Sequence, residues 1–224
     1  MRKHLMLIFF VTTILEQTVL TGWAREDLSA VLNGVREKYR CLPGFRVEYV
    51  REVTTRTMSL LGNQVEGDLA TGRIYFKPRY HLRLEQKTPE AEILVTDGTT
   101  LWWYLPKQEE VHIYSMEKFG QELRLLSDIF QGLANIEDNF KVSLIGETEQ
   151  KRFLIELTPD PPWENVEKIN LLVTSDYDIA VVILYNQLGT MTRFTLEGLR
   201  AEEVFEEGFF VFQTPTDVEI IKHN

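Results

Sequence analysis

Residues 72–106 read GRIYFKPRYHLRLEQKTPEAEILVTDGTTLWWYLP. Tyr80, Leu82 and Leu84 alternate with His81, Arg83 and Glu85, and period two marks a strand with one buried face. Asp97-Gly98 stands between the apolar runs Ile-Leu-Val and Leu-Trp-Trp-Tyr-Leu, where it supplies the positive backbone angles of a tight hairpin. Within residues 101–104, Trp102 and Tyr104 point to one face and Leu101 and Trp103 to the other. Apolar character on both sides means that both faces are covered or that one lines a cavity.

The same period extends outward in both directions. Phe45, Val47 and Tyr49 alternate with Arg46 and Glu48; Phe140, Val142 and Leu144, then Phe153, Ile155 and Leu157, then Ile169, Leu171 and Val173 continue it, with a turn predicted at residues 176–178. Two segments have helical spacing instead. Residues 26–40 place Leu28, Val31, Leu32, Val35 and Tyr39 on one stripe, stopped by Pro43 and Gly44, and residues 116–133 place Phe119, Leu123, Leu126, Phe130 and Leu133 on another. Roughly ten strands with no βαβ alternation predict an antiparallel meander that curls on itself, mainly β with an α-helical cover. No repeat, low-complexity segment or linker divides the chain, so residues 25–224 read as one domain.

Residues 1–24 read as a secretory signal: Arg2 and Lys3 precede an apolar run, and Gly22 and Ala24 occupy the small-residue positions of a cleavage site. The run is shorter than the roughly 20 apolar residues that span a bilayer. Trp23 stands where a lipidated cysteine would have to follow Leu20-Thr21-Gly22, so the processed chain is predicted to carry no lipid anchor and to be soluble. The net charge is −10, and loss of Arg2, Lys3 and Glu16 with the leader takes it to −11. Such a chain is repelled by nucleic acid and by anionic membrane surfaces. Cys41 is the only cysteine, which excludes an intramolecular disulfide, and a buried thiol is expected. His81, His112 and His223 have no metal-ligand spacing, and no Gly-x-Ser-x-Gly elbow, phosphate-binding glycine loop or paired-cysteine motif occurs. The acidic residues read as solvated strand and turn positions. No enzyme activity and no cofactor are expected.

Gly72, Lys77, Pro78, Arg83, Val95, Asp97, Gly98, Leu101, Trp102, Tyr104 and Pro106 together resemble the central signature of the outer-membrane lipoprotein carrier (LolA) family. The closing FFVFQTPTDVEII, residues 209–221, is similar to that family's phenylalanine strand, proline and apolar end. The resemblance implies an unclosed antiparallel β-barrel whose concave apolar face is covered by amphipathic helices. It also implies a monomeric periplasmic carrier that takes acylated lipoproteins from an inner-membrane exporter to an outer-membrane receptor. A periplasmic lipid or lipoprotein sensor, or another lipid-binding protein on the same fold, is the alternative. On this reading the cavity is lined by Phe45, Val47, Tyr49, Tyr80, Leu82, Leu84, Ile93 and Val95. The lid offers Leu28, Leu32 and Val35 from the first helix and Phe119, Leu123, Leu126 and Phe130 from the second. The family commonly has Arg before the signature proline, bonded to lid backbone. Here Lys77 takes that place, with Arg79 beyond the proline, and a lysine offers a point charge rather than a planar fork of donors.

Overall fold

The computed structural model describes residues 20–61, 67–115, 121–202 and 204–223. In chain order these form α1 (Leu20–Arg40), β1 (Phe45–Thr54), α2 (Arg56–Leu61), β2 (Asp68–Lys77), β3 (His81–Thr88), β4 (Glu92–Thr96), β5 (Thr100–Leu105) and β6 (Glu110–Ser115). There follow α3 (Gln121–Phe130), a 3-10 turn (Ile136–Asp138), β7 (Phe140–Glu147), β8 (Phe153–Pro159), β9 (Lys168–Val173), β10 (Ile179–Tyr185), β11 (Met191–Ala201) and β12 (Glu219–His223).

All twelve strands belong to one curved, unclosed sheet in the order β12-β6-β5-β4-β3-β2-β1-β11-β10-β9-β8-β7. Two meanders, β1 to β6 and β7 to β11, are joined where β1 pairs with β11. The hairpins follow their turn chemistry. Gly98 has φ +93°, and the Asp97 carboxylate accepts the Thr99 and Thr100 amides at 2.8 and 2.9 Å. Burial would raise the Asp97 pKa, but those donors and the Thr99 hydroxyl outweigh it and hold the carboxyl below its ordinary value.

Topology dictates the cover. Strand β6 lies next to one edge and β7 forms the other, so the segment between them, which contains α3, must cross the open mouth of the sheet. Helix α3 ends in a Schellman turn: Leu133 N–H donates to Asp128 O, Gly132 N–H to Ile129 O, and Gly132 has φ +75°. A Cβ at Gly132 would lie 2.9 Å from that of Tyr39 and 3.2 Å from Val35 O, so glycine also lets this turn lie directly against α1.

Several expectations shift. Helix α1 starts at Leu20, ahead of the predicted processing point after Ala24; residues 1–19, most of the predicted leader, and residues 116–120, the predicted start of the second helix, lie outside the described residues. The sheet is not wholly antiparallel, since β12 runs parallel to β6. A parallel neighbour needs a crossover, and residues 204–218 pass over the convex face on the way. The four residues Phe209 to Phe212, expected as a strand, belong to that crossover: Phe209 packs edge-on against Tyr75 and Phe212 against Tyr104. Cys41 is exposed rather than buried, because α1 has ended just before it.

Candidate functional site: the concave face and its helical cover

Directly paired residues of neighbouring antiparallel strands share a face. The register sets Phe45 opposite Phe76, Val47 opposite Ile74 and Tyr49 opposite Gly72, and then Phe76 opposite Leu82 and Ile74 opposite Leu84. Phe45, Val47, Tyr49, Leu82 and Leu84 therefore lie with Ile74 and Phe76 in one buried apolar patch. Gly72 leaves room for it: a Cβ there would come within 2.8 Å of the Tyr49 ring. Across β11 to β8 the patch continues through Leu196, Val182, Leu171 and Ile155.

Three predicted cavity residues fall elsewhere. Leu84 pairs with Leu94, whereas Ile93 and Val95 pair with Glu85 and Arg83, so Ile93 and Val95 face the convex side. The run Ile93-Leu94-Val95 is apolar at every position, so it carries no phase, and only the register with β3 fixes which side chain points inward. Tyr80 is a turn residue with φ +65° and 40% exposure. Together with Arg79 at φ +72° it leaves the pleat before β3 begins.

The cover is a double helical stripe. Leu32 and Val35 are buried and Leu28 partly so, as are Val31 and Tyr39, which share the face. Leu126 and Phe130 are buried from α3, with Leu125 and Ile129 beside them. Phe119 lies outside the described residues, as does the side chain of Leu123. Phe130 meets the Phe45 and Phe76 rings at centroid distances of 5.3 and 5.8 Å. Where the ends of α1 and α3 approach the start of β1, a cavity of about 430 Å³ opens over Tyr39, Leu42, Phe45, Phe76 and Phe130, a volume in the range of small-ligand pockets.

Polar links hold the cover. The Arg36 guanidinium donates from Nε and Nη2 to Leu133 O, both at 3.3 Å, and pairs with Glu137. The Schellman turn is what presents that carbonyl. Lys38 donates to Asp176 O at 2.9 Å and pairs with Asp178 at 2.6 Å, and the Ile179 amide donates to the Tyr39 hydroxyl at 3.1 Å. Burial pushes the Tyr39 phenol above its ordinary range in spite of that bond. Lys77 and Arg79 are exposed, and neither makes a hydrogen bond or ion pair among the described residues. In place of the strand-to-lid bond expected of Lys77, Arg36 of α1 bonds to the turn after α3, joining the two lid segments to each other. A charged residue at helical spacing beside an apolar stripe was the available signal, but nothing in the pattern paired it with a carbonyl ninety-seven residues away.

The far end of the concave face is polar. Arg51 and Val53 continue the inward series of β1, and Arg51 sits opposite Phe194 and Ala70. Gln86 donates to Glu92 at 3.1 Å, as does the Trp103 indole. Burial, opposed by Arg51 and reinforced by Glu92, pushes the Tyr49 phenol up to about 12. Beyond it, His112 bonds to His223 at 2.9 Å and to Glu110 at 3.1 Å, fastening β12 to β6. Among the described residues no cluster of His, Cys, Asp or Glu is arranged to hold a metal, and no helix is long and apolar enough to cross a membrane.

The chain has relatives in sequence and in fold. The chain is 25% identical over 213 residues to the outer-membrane lipoprotein carrier protein of Psychromonas ingrahamii, covering 90% of this chain and 93% of that one. It is 25% identical over 150 residues to the protein of the same name from Idiomarina loihiensis, covering 67% and 70%. A crystal structure of an uncharacterized conserved protein from Thermus thermophilus superposes with a TM-score of 0.55 at 11% identity over 88% of this chain and 99% of that one, a likeness of fold. The sequence model of the outer membrane lipoprotein carrier protein LolA matches residues 60–213, and the chain belongs to that family.

Proposed function

We propose that this protein is a periplasmic lipoprotein carrier, which binds acyl chains on its concave face and moves lipoproteins from an inner-membrane exporter to the outer membrane. The observation that carries the reading is a continuous apolar concave face covered by a narrow helical stripe rather than by a second sheet. Burying Val31, Leu32, Val35 and Tyr39 contributes on the order of 6 to 12 kcal/mol as an upper estimate. An acyl chain of a dozen methylenes gains about 10 kcal/mol on leaving water. The two burials are of similar size, so one can replace the other. The balance then rests on polar links such as Arg36 to Leu133, worth about 1.5 to 3 kcal/mol.

The reading includes export with cleavage after Ala24 and no lipid on the new N-terminus, and an intact mass beginning at Arg25 is expected of the exported protein. Its direct test is binding of a fluorescent fatty acid, followed by transfer of an acylated lipoprotein to receptor-bearing membranes. Leu84, at the margin of the patch, is the informative position: Leu84→Glu is expected to abolish probe binding while β-sheet circular dichroism is kept. Undiminished binding by a folded Leu84→Glu protein would reject the concave face as the acyl site.

A further inference from the structure

We infer that Arg51 is a headgroup site: the concave face takes amphiphiles whose polar end is anionic, a carboxylate or phosphate, and Arg51 binds that end. The inference rests on the acyl-binding part of that reading and names a ligand class besides acylated lipoproteins, whose glyceryl-cysteine end carries no such anion.

Arg51 stands on the inward side of β1, two residues beyond Tyr49, between Phe194 and Ala70 in the register. Its Nε is buried and has no acceptor, and the side chain makes no ion pair among the described residues. Arg51 as a whole is half-buried, but a buried donor without a partner is costly, and its register neighbours Phe194 and Ala70 offer Nε no side-chain acceptor. The carboxylates near it do not serve. Glu92 accepts from Gln86 and from the Trp103 indole, and it receives no bond from Arg51. Glu52 is the next residue along the strand and points to the other face. Asp68, opposite Val53, is exposed and makes no bond to Arg51. The planar donor fork suits a carboxylate or phosphate bidentately.

The spacing suits an amphiphile. Phe45, at the floor of the cavity between the helix ends, and Arg51 lie six residues apart on one strand, which is about 20 Å of extended backbone. The side chains between them on that face, Val47 and Tyr49, are buried and belong to the core patch. A chain lying along β1 in place of the helical stripe would meet apolar groups from Phe45 to Tyr49 and the unpaired cation Arg51 beyond them; Arg36 and Arg40, which line the cavity at the Phe45 end, are paired with Glu137 and Glu37.

The test compares palmitate with hexadecanol, which share a chain and differ in head charge, on full-length processed protein stripped of lipid. Wild type is expected to bind palmitate at least about tenfold more tightly than hexadecanol, the fold-change of one charged hydrogen-bonded contact. Arg51→Met is expected to erase that preference by weakening palmitate far more than hexadecanol, with β-sheet circular dichroism and urea midpoint showing that the variant is folded; Arg51→Lys should keep part of it. Equal affinities in wild type, or a preference that survives in Arg51→Met, would overturn the proposal. So would inorganic phosphate or acetate binding as tightly as palmitate, which would make this a free-anion site. If neither amphiphile binds, the acyl-binding reading itself fails and the headgroup site falls with it.

Discussion

The two halves of the sheet bury opposite faces to different degrees. In β8, β9 and β10 the fully buried side chains Ile155, Leu157, Ile169, Leu171, Val173 and Val182 face the helices, while on the other side Val181, with Ala180 and Ile183 beside it, forms a small second cluster. In β4, β5 and β6 the concave side is fully buried at Thr96 and Leu101, beside Leu82, but only partly at Leu94, Trp103 and His112, while Val95 and Val111 are fully buried on the convex side. There the crossover supplies the cover: Phe209 lies over Arg83 at 5.1 Å as well as against Tyr75, and Phe210 is itself buried. Strand alternation is the same in both halves. What lies over each face differs, and that decides which set of side chains becomes core.

The largest effect tests the sealed half. Leu171→Glu puts an unpaired charge at a fully buried position, and a loss exceeding about 4 kcal/mol is expected. Urea denaturation measures it; a folded protein of near-normal midpoint would mean that this half opens as readily as the other. Next comes the crossover. Phe210→Ala removes a buried ring that packs on Phe205, Phe209 and His81, and about 3 kcal/mol should be lost, with acyl-probe affinity unchanged because the concave face is untouched. A large drop in probe affinity would show that the two covers are coupled.

Smaller effects sharpen the comparison at the lid. Arg36→Met should remove about 1.5 to 3 kcal/mol from the closed arrangement and raise probe affinity correspondingly, whereas Lys77→Met should change stability by no more than about 0.5 kcal/mol. Equal effects of the two, read from probe titrations, would return Lys77 to the role of latch. The least effect belongs to the β4–β5 turn. Because the folded-state pKa of Asp97 lies below the ordinary 3.8, its contribution is complete above that value and is lost as pH falls through the folded one. Asp97→Ala is therefore expected to be less stable than wild type by about 1 kcal/mol at neutral pH. The two denaturation midpoints should converge in strong acid; a constant gap down to about pH 2 would assign the loss to backbone conformation instead.

The carrier-family core was legible because local rules suffice for it. Alternation at Phe45, Val47 and Tyr49 and at Leu82 and Leu84, helical spacing at Leu28, Leu32 and Val35, and the Asp97-Gly98 turn each depend on residues only a few positions apart, and each falls on a strand, helix or turn of the kind expected. Phase could not be read where every residue is apolar, as at Ile93-Leu94-Val95, nor where left-handed backbone at Arg79 and Tyr80 ends the pleat. The family likeness pointed to Lys77 for a strand-to-lid link. Arg36 instead joins the two lid segments, because contact between α1 and a carbonyl freed by the turn after α3 is a matter of packing between distant segments. The same holds for Arg51. Its sequence neighbours mark it only as an ordinary polar strand residue, and its place between Phe194 and Ala70, with no acceptor for its Nε, arises from the pairing of β1 with β2 and β11. Periodicity thus determined the elements and their apolar stripes, because those are set by backbone geometry. Tertiary structure decided which face is covered, by what, and which charge is left without a partner, because burial and pairing depend on segments that the chain brings together only when the sheet is formed.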